Sequence, residues 1–301
     1  MRVGVFMFAT PHTAAPADVA RQAEALGFES FWLPEHPVVP VHYDTRYSLA
    51  EDGMIPEHFV HLCDPFISLA SAAAVTKTIK LATGICLVPQ RHPLVLAKAV
   101  ATLDHYANGR VIFGVGAGWF REEAALFGVD FSRRWVRLRE SVEAMRALWT
   151  QEAAEYHGEY VDFPPVQCLP QPVQKPHPPV LLGTYTYGEP SLRRVAAWAD
   201  GWCPPAYSPQ LLQERLGKLH ALTEAAGRDP SKLEITVLLG VTLGRPCVDL
   251  IKQYEDAGAH RVVLMLGQRD GVTAALNPYL LLPHGAEAAL EQLADQSLVR
   301  L

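Results

Sequence analysis

The chain alternates between short apolar runs of strand length and longer amphipathic patterns of helical period, and this alternation limits its fold more than any other feature. The first run, 2–8, precedes a helix that begins at Pro16 and ends at Gly27. Strands that alternate with helices favour a parallel sheet. The other predicted strands, each followed by a predicted helix, are 28–33, 79–88, 110–115, 180–183, 201–203, 234–241 and 261–265.

These β-α units in 301 residues predict an α/β fold, a closed (β/α)8 TIM barrel that forms a single domain, 1–301. The competing open, doubly wound sheet usually stops at about five or six strands. Two long segments, about 35–63 and about 150–179, interrupt the alternation. We expect the first to cover the C-terminal face of the barrel, where barrel enzymes hold their active sites, and the second to be structural.

Composition and charge exclude several classes of protein. Hydrophobic residues make up 49% of the chain and charged residues 19%, which suits a large core and not a disordered chain. A net charge of −6 argues against a nucleic-acid surface. No apolar run approaches the roughly 20 residues of a membrane span, and the first residues do not form a signal peptide. Because the five cysteines are scattered and no secretion signal is evident, we expect reduced thiols in a cytoplasmic protein. We expect no membrane partner, because no run of the sequence is long and apolar enough to span a bilayer.

Polar residues and glycines follow several strands at their C-terminal ends. Glu35 and His36 come directly after the second strand, where a carboxylate beside a histidine could exchange protons or begin a surface loop. Gly84 lies inside the third strand, which is typical of a bulge, a close approach to a ligand or simple packing. The run 114–119 has the wrong spacing for a dinucleotide fingerprint, but its glycines would let a planar ring approach the backbone.

The fifth strand leads into a helix whose first turn could hold an anion. The loop 184–191 carries several hydroxyl groups, and a helix N-terminus offers unpaired N–H groups to a phosphate. The carboxylate of Glu189 at the same helix end would compete with a phosphate for these N–H groups, or would simply cap the helix. A metal site is not expected, because His58 and His61 are three residues apart and match no zinc motif.

Taken together, these motifs resemble the bacterial luciferase-like superfamily of flavin- and deazaflavin-dependent barrel oxidoreductases. The resemblance extends over about residues 1–245. Within the superfamily, the run 32–36 and the insertion before Asp64 are most similar to the branch that uses the deazaflavin coenzyme F420. FMN-dependent monooxygenases share the same barrel and phosphate site. The resemblance rests on 28–36, 82–93, 101–104, 109–119, 163–183 and 192–202.

The resemblance implies a cofactor site at the mouth of the barrel. It places a non-prolyl cis peptide at Gly84–Ile85 behind the ring, the phosphate at the start of the helix after the fifth strand, and His36 at the reactive edge. The residues that it assigns to the cofactor are Thr83, Gly84, Ile85, Thr184, Tyr187, Gly188 and Glu189.

Some residues depart from the superfamily's patterns. Glu35 replaces an aspartate, and Trp119 stands where the sugar-phosphate dehydrogenases of the superfamily carry a glutamate. The second change removes the expected acid partner and argues against sugar-phosphate oxidation. Tyr185 and Tyr187 replace smaller residues in the phosphate loop.

The resemblance implies hydride transfer between F420 and a small organic substrate. His36 would exchange the accompanying proton beside Glu35, in a pocket shaped by Trp119, Trp32 and the segment 35–63. The alternatives are an FMN-dependent monooxygenase that uses O2 and a flavin-binding protein without turnover.

The resemblance also implies a homodimer through the helices 64–76 and 93–107. Their alanines, which permit close helix packing, are Ala70, Ala72, Ala73, Ala74, Ala97, Ala99 and Ala101.

Overall fold

A computed structural model describes residues 1–48, 50, 52–204, 208–267 and 285–298 of the chain. Parallel strands surround a central core, with helices packed outside them. The strands are β1 (Arg2–Phe6), β2 (Ser30–Leu33), β3 (Lys80–Thr83), β4 (Cys86–Leu87), β5 (Val111–Gly116), β6 (Ala154–His157), β7 (Asp162–Val166), β8 (Val180–Gly183), β9 (Gly201–Cys203), β10 (Glu234–Thr242) and β11 (Arg261–Gly267).

The parallel strands close into an eight-stranded barrel, which confirms the predicted fold. Neighbours follow the order β3-β2-β1-β11-β10-β9-β8-β5, and a pairing between β3 and β5 completes the circle. Leu81 pairs with Val111 at this closure. The predicted third strand, 79–88, is divided in two, because β3 ends at Thr83 and β4 resumes at Cys86 beside β5. All strand C-termini therefore meet at one mouth.

The helices begin and end where local sequence signals predict. Pro16, Pro65 and Pro93 each open a helix, where the missing N–H of proline has no cost. The side chain of Asp64 accepts hydrogen bonds from two N–H groups in the first turn of α2. The helices are α1 (Pro16–Leu26), α2 (Pro65–Val75), α3 (Pro93–Tyr106), α4 (Arg121–Leu126), α5 (Arg134–Thr150), α6 (Glu189–Trp198), α7 (Pro209–Ala225), α8 (Val248–Asp256) and α9 (Ala286–Ser297).

A short helix and a hairpin of two strands differ from the sequence-based expectation. The helix α4 was not predicted, because its six residues are too few to show a clear period. The segment 150–179 contains the antiparallel hairpin of β6 and β7, which packs on α5 through a hydrogen bond from the Tyr156 hydroxyl to Glu143 (2.7 Å). The structural role expected of this segment agrees with that packing.

Most of the alanines expected at a dimer interface are used inside the subunit. Ala72, Ala73, Ala97 and Ala101 belong to the buried core, because the faces of α2 and α3 that carry them pack on the barrel. The expectation that these four face a partner is therefore wrong.

No helix in the described ranges is both long and apolar enough to span a membrane.

Candidate active site

The C-terminal mouth of the barrel brings together most of the regions that the sequence singles out. His36 follows β2, the Gly84–Ile85 peptide joins β3 to β4, α4 follows β5, and α6 follows β8. These positions are far apart along the chain, and the closed sheet makes them neighbours.

His36 lies in an aromatic and acidic setting at this mouth. Its imidazole is buried, stacks on Phe59 with centroids 4.8 Å apart, and meets Trp119 edge-on at 5.5 Å. Its Nδ1 lies 3.0 Å from a carboxylate oxygen of Glu123. Among the residues that the structure describes, none bonds its Nε2. A carboxylate on Nδ1 orients the ring and leaves Nε2 to face a substrate.

Glu123, in the first turn of α4, is the functional candidate that the sequence-based reasoning missed. Its side chain is fully buried, and Oε2 accepts from His36 Nδ1 and from the Gln90 amide (3.3 Å). Neither its Oε1 nor the Gln90 Oε1 has a hydrogen-bond partner among the described residues. A buried carboxylate that lacks a full set of partners is costly, which is a mark of functional sites. The available signal was a pair of glutamates just beyond the glycine-rich end of β5.

Glu35 is not the partner of His36, which corrects the expected pairing. Its buried carboxylate accepts a hydrogen bond from the Leu87 N–H (2.8 Å) and pairs with Arg91, which also binds Asp64 (2.6 Å). Successive side chains of an extended segment point to opposite sides, so Glu35 and His36 diverge. Glu35 therefore ties β2 to β4 and α2, whereas the carboxylate that contacts His36 belongs to Glu123.

The peptide Gly84–Ile85 is cis, as the resemblance implied. Ile85 is partly exposed, and its side chain lies where glycines of two neighbouring strands leave space. A Cβ added at Gly116 would lie 2.0 Å from Ile85 Cδ1, and one at Gly183 would lie 2.9 Å from it. Ile85 thus forms an apolar ledge at the mouth. The Thr83 hydroxyl, in contrast, is buried and donates to the Gly114 carbonyl (2.7 Å), so it is not available to a ligand.

The segment 35–63 covers the mouth with aromatic side chains. It supplies Tyr47 and Phe59, and Tyr47 contacts Trp119 at 5.2 Å. Glu122 anchors the segment to α4, accepting hydrogen bonds from the N–H groups of Asp44 (2.9 Å) and Thr45 (3.1 Å). The segment therefore lies over the mouth and Trp119 packs against it, while the expected role of Trp119 in a substrate pocket stays a prediction.

Trp32 does not line the surface of the pocket, contrary to expectation. Its side chain is fully buried in the barrel interior, and the indole N–H donates to Ser30 (2.8 Å), near the start of β2. The guanidinium of Arg261, at the start of β11, lies 5.8 Å from the indole ring. Trp32 therefore fills the barrel below the mouth, and an added Cβ on Gly84 would lie 3.2 Å from it.

The N-terminus of α6 has no side-chain cap, which suits the anion site expected there. Gly188 is the N-cap residue, and Glu189 pairs with Arg193 one turn along. The carboxylate of Glu189 therefore binds Arg193 and does not cap the N–H groups at the helix N-terminus. The Thr184 hydroxyl accepts from the Trp202 indole (3.0 Å), and Tyr187 packs edge-on against the same indole. Thr184 and Tyr187 thus shape the loop, while Gly188 and Glu189 offer backbone to a ligand.

These features fit a planar cofactor with a phosphate. The Ile85 ledge offers an apolar surface for a ring, the uncapped helix offers N–H groups to a phosphate, and the His36–Glu123 pair supplies a proton-exchanging group. The described part of the chain holds no group of three or more potential metal ligands.

Comparisons with known proteins agree with this description. A family model described as "Luciferase-like monooxygenase" matches residues 1–256. An uncharacterized protein of Mycobacterium tuberculosis (strain ATCC 25618 / H37Rv) is 39% identical over 276 residues, covering 91% of this chain and 95% of that protein.

Two named proteins are also similar. The F420-dependent glucose-6-phosphate dehydrogenase of Kineococcus radiotolerans is 32% identical over 228 residues, 73% of this chain and 61% of that enzyme. The crystal structure of monooxygenase RslO1 from Streptomyces bottropensis superposes with a TM-score of 0.73, 20% identity and 98% coverage of both chains. The latter likeness concerns the fold alone.

Proposed function

Because this chain belongs to the luciferase-like monooxygenase family, we propose that it transfers a hydride between coenzyme F420 and a small organic substrate at the mouth of the barrel. The observation that carries the proposal is the His36–Glu123 pair, a buried acid–base couple with one imidazole nitrogen left for a ligand. When bound, the deazaflavin supplies the carbon that accepts or releases the hydride.

His36 holds or releases the proton that accompanies the hydride. Glu123 acts through Nδ1: it fixes the tautomer and orientation of the ring and stabilises the imidazolium when Nε2 is protonated. Phe59 and Trp119 pack on two sides of the imidazole, which restricts its motion and keeps water from it.

Binding and orientation fall to the ledge and to α6. Ile85 would support one face of the ring, and the N–H groups at Gly188 and Glu189 would receive the phosphate. The choice of F420 is supported by the motif 32–36 and by the relative named as an F420-dependent dehydrogenase. Monooxygenation with reduced FMN and O2 is the second candidate, favoured by the description of the family.

An anaerobic binding titration with F420 and with FMN tests the choice of cofactor. We expect F420 to bind at least tenfold more tightly, and the bound F420 to exchange a hydride with alcohols, aldehydes or imines in a substrate panel. Tighter binding of FMN, with O2 consumed by the reduced complex, would favour the monooxygenase. Bound F420 with no turnover of any compound would favour a binding protein.

The roles of His36 and Glu123 are tested with His36→Ala and Glu123→Gln. Loss of a general acid–base group costs about 10²–10⁴-fold in rate, so we expect His36→Ala to slow hydride transfer in this range with cofactor affinity nearly unchanged. Glu123→Gln keeps the size of the side chain and removes its charge, and we expect an intermediate loss with an altered pH profile. Equal rates and profiles in all three proteins would assign the proton to solvent.

A further inference from the structure

Gln90 is a buried polar residue that contacts the His36–Glu123 pair from the segment after β4. It is the last residue of a short 3-10 turn, Val88–Gln90, and is 6% exposed. Its Nε2 donates to Glu123 Oε2 at 3.3 Å. The same carboxylate oxygen lies 3.0 Å from His36 Nδ1. Gln90 and His36 therefore share one oxygen of Glu123.

The amide of Gln90 carries a cost that packing does not explain. Its Oε1 is buried without a hydrogen-bond partner among the residues that the structure describes. A buried polar atom without a hydrogen bond destabilises a fold, and an unbranched apolar side chain such as methionine would fill the space without that cost. The reverse orientation of the amide would turn its Oε1 towards Glu123 Oε2, and two acceptor oxygens repel each other. What the amide provides against this cost is the hydrogen bond to Glu123.

The carboxylate of Glu123 depends on its two donors for a fixed orientation. The terminal torsion of a glutamate side chain is broad, so the plane of the carboxylate is free to turn unless hydrogen bonds hold it. Its Oε1 has no partner among the described residues, so the contacts of Oε2 with His36 and Gln90 are the ones that fix it. Without the Gln90 donor, the carboxylate can turn and leave His36 Nδ1 without its acceptor.

The turn that carries Gln90 is fixed on both sides by the buried carboxylate of Glu35. This carboxylate accepts a hydrogen bond from the N–H of Leu87, which directly precedes the turn, at 2.8 Å. It also pairs with the guanidinium of Arg91, the residue directly after the turn. The turn is therefore anchored at both ends, and it holds the Gln90 amide against Glu123.

We propose that Gln90 is a positioning residue that holds the Glu123 carboxylate against His36 Nδ1, and that Glu35 holds Gln90 in place through the segment 87–91. In this arrangement the proton stays on Nδ1, and Nε2 keeps its lone pair for the mouth of the barrel. The contribution of Gln90 to hydride transfer rests on the proposed function, whereas its effect on the His36 tautomer does not.

The tautomer of His36 in the cofactor-free protein tests the proposal. Nitrogen NMR of histidine-labelled protein, under alkaline conditions where imidazoles are neutral, shows which ring nitrogen carries the proton, and His36→Ala identifies the signals. We expect the Nδ1–H form in the unmodified protein. Gln90→Met keeps the side chain unbranched and removes the donor. The ratio of the Nε2–H form to the Nδ1–H form should then rise about two- to tenfold, as the loss of one hydrogen bond implies.

Two further variants separate positioning from packing. Gln174→Met is the matched control, because the Gln174 amide donates to the Val111 carbonyl (2.8 Å) at the start of β5, the end of the barrel opposite the mouth. It should lower the melting temperature and leave the His36 tautomer unchanged. In the background of Glu123→Gln, Gln90→Met should have no further effect on the tautomer, because the carboxylate through which Gln90 acts is absent.

The outcomes distinguish this inference from the proposed function. An unchanged tautomer ratio in Gln90→Met, or an equal change in the Glu123→Gln background, would mean that Gln90 only packs here, and would overturn the inference while the function stands. A dominant Nε2–H form in the unmodified protein would overturn it as well. If F420 does not bind, the function fails, and the tautomer measurement still decides the role of Gln90.

Activity supplies the second readout once F420 is bound. We expect Gln90→Met to lower kcat and to leave the KM of the substrate nearly unchanged, because the variant alters the orientation of His36 and not the binding surface. An unchanged kcat would contradict the positioning role. Circular dichroism verifies that each variant is folded, and Gln90→Leu takes the place of Gln90→Met if that protein unfolds.

Discussion

At the scale of the residue, two neighbouring imidazoles at the mouth have opposite surroundings. The Nδ1 of His36 contacts the Glu123 carboxylate, whereas the His58 ring packs edge-on against the rings of Phe8 and Phe59, with centroids 4.7 and 4.8 Å away. The Nε2 of His58 is buried and has no hydrogen-bond partner among the described residues. Burial, together with the charge of His36 when protonated, lowers the pKa of His58 to about 4. His58 is therefore a neutral packing residue within the segment 35–63.

This lowered pKa predicts a loss of stability in mild acid. Between the ordinary pKa of 6.5 and the folded value of about 4, the unfolded chain binds a proton at His58 and the native protein does not. The free energy of unfolding therefore falls as the pH drops through this range, by about 2–3 kcal/mol at roughly 1.4 kcal/mol per unit. Urea unfolding at pH 7 and pH 4.5 should show a smaller drop for His58→Phe than for the unmodified protein.

Carboxylates elsewhere contribute equally to both proteins, so the difference between the two drops isolates His58. His61→Phe, which alters an imidazole of the same segment, is the matched control. Identical drops in all three proteins would mean that His58 is protonated in the native state.

At the scale of the element, the fold itself does not require a glycine at the N-terminus of α6. Gly188 has φ −64° and ψ 154°, angles that any residue adopts. An added Cβ would meet Pro190 Cδ at 3.7 Å and Thr186 Oγ1 at 3.8 Å, both ordinary contacts. The fold therefore tolerates a side chain at this position. A phosphate bound to the backbone N–H groups, as proposed, would clash with such a side chain.

Gly188→Val should accordingly leave the melting temperature within a few degrees of the original while it weakens F420 binding about tenfold or more. A deazaflavin that lacks the phosphate serves as the control ligand, and its affinity should be the same in both proteins. If the variant binds complete F420 as tightly as the unmodified protein does, the helix end is not the phosphate site.

At the scale of the whole molecule, the exposed apolar residues of α2 and α3 are the remaining basis for the expected homodimer. The buried alanines cannot contribute, but Ile67, Val95 and Tyr106 are 76%, 69% and 69% exposed. Exposed large apolar residues on adjoining helices are typical of association surfaces. The homodimer therefore stays a prediction, with its contact residues revised.

Light scattering at micromolar concentration should give twice the 33.1 kDa mass of the chain. Ile67→Glu/Val95→Glu should give the monomer mass, because charges buried across an interface are strongly unfavourable. Val41→Glu, at a residue 87% exposed in the segment 35–63, should leave the dimer intact. A monomeric mass for the unmodified protein would contradict the prediction.

The sequence by itself determined the barrel and the places where its site could lie. Strand runs, helix periods and caps are local signals, and in a closed parallel barrel every strand C-terminus reaches the same mouth. His36, the Gly84–Ile85 peptide and the start of α6 could therefore be assigned to one region from the sequence alone.

Only the tertiary structure decided which groups meet there. Glu35 is adjacent to His36 in sequence but turns to Arg91, whereas Glu123, 87 residues away, reaches the imidazole. Its helix, α4, is too short to show a period, and its approach depends on barrel closure between β3 and β5. The burial of Trp32 and of four alanines on α2 and α3 likewise depends on packing between distant elements, because local patterns specify an apolar face but not the surface that covers it.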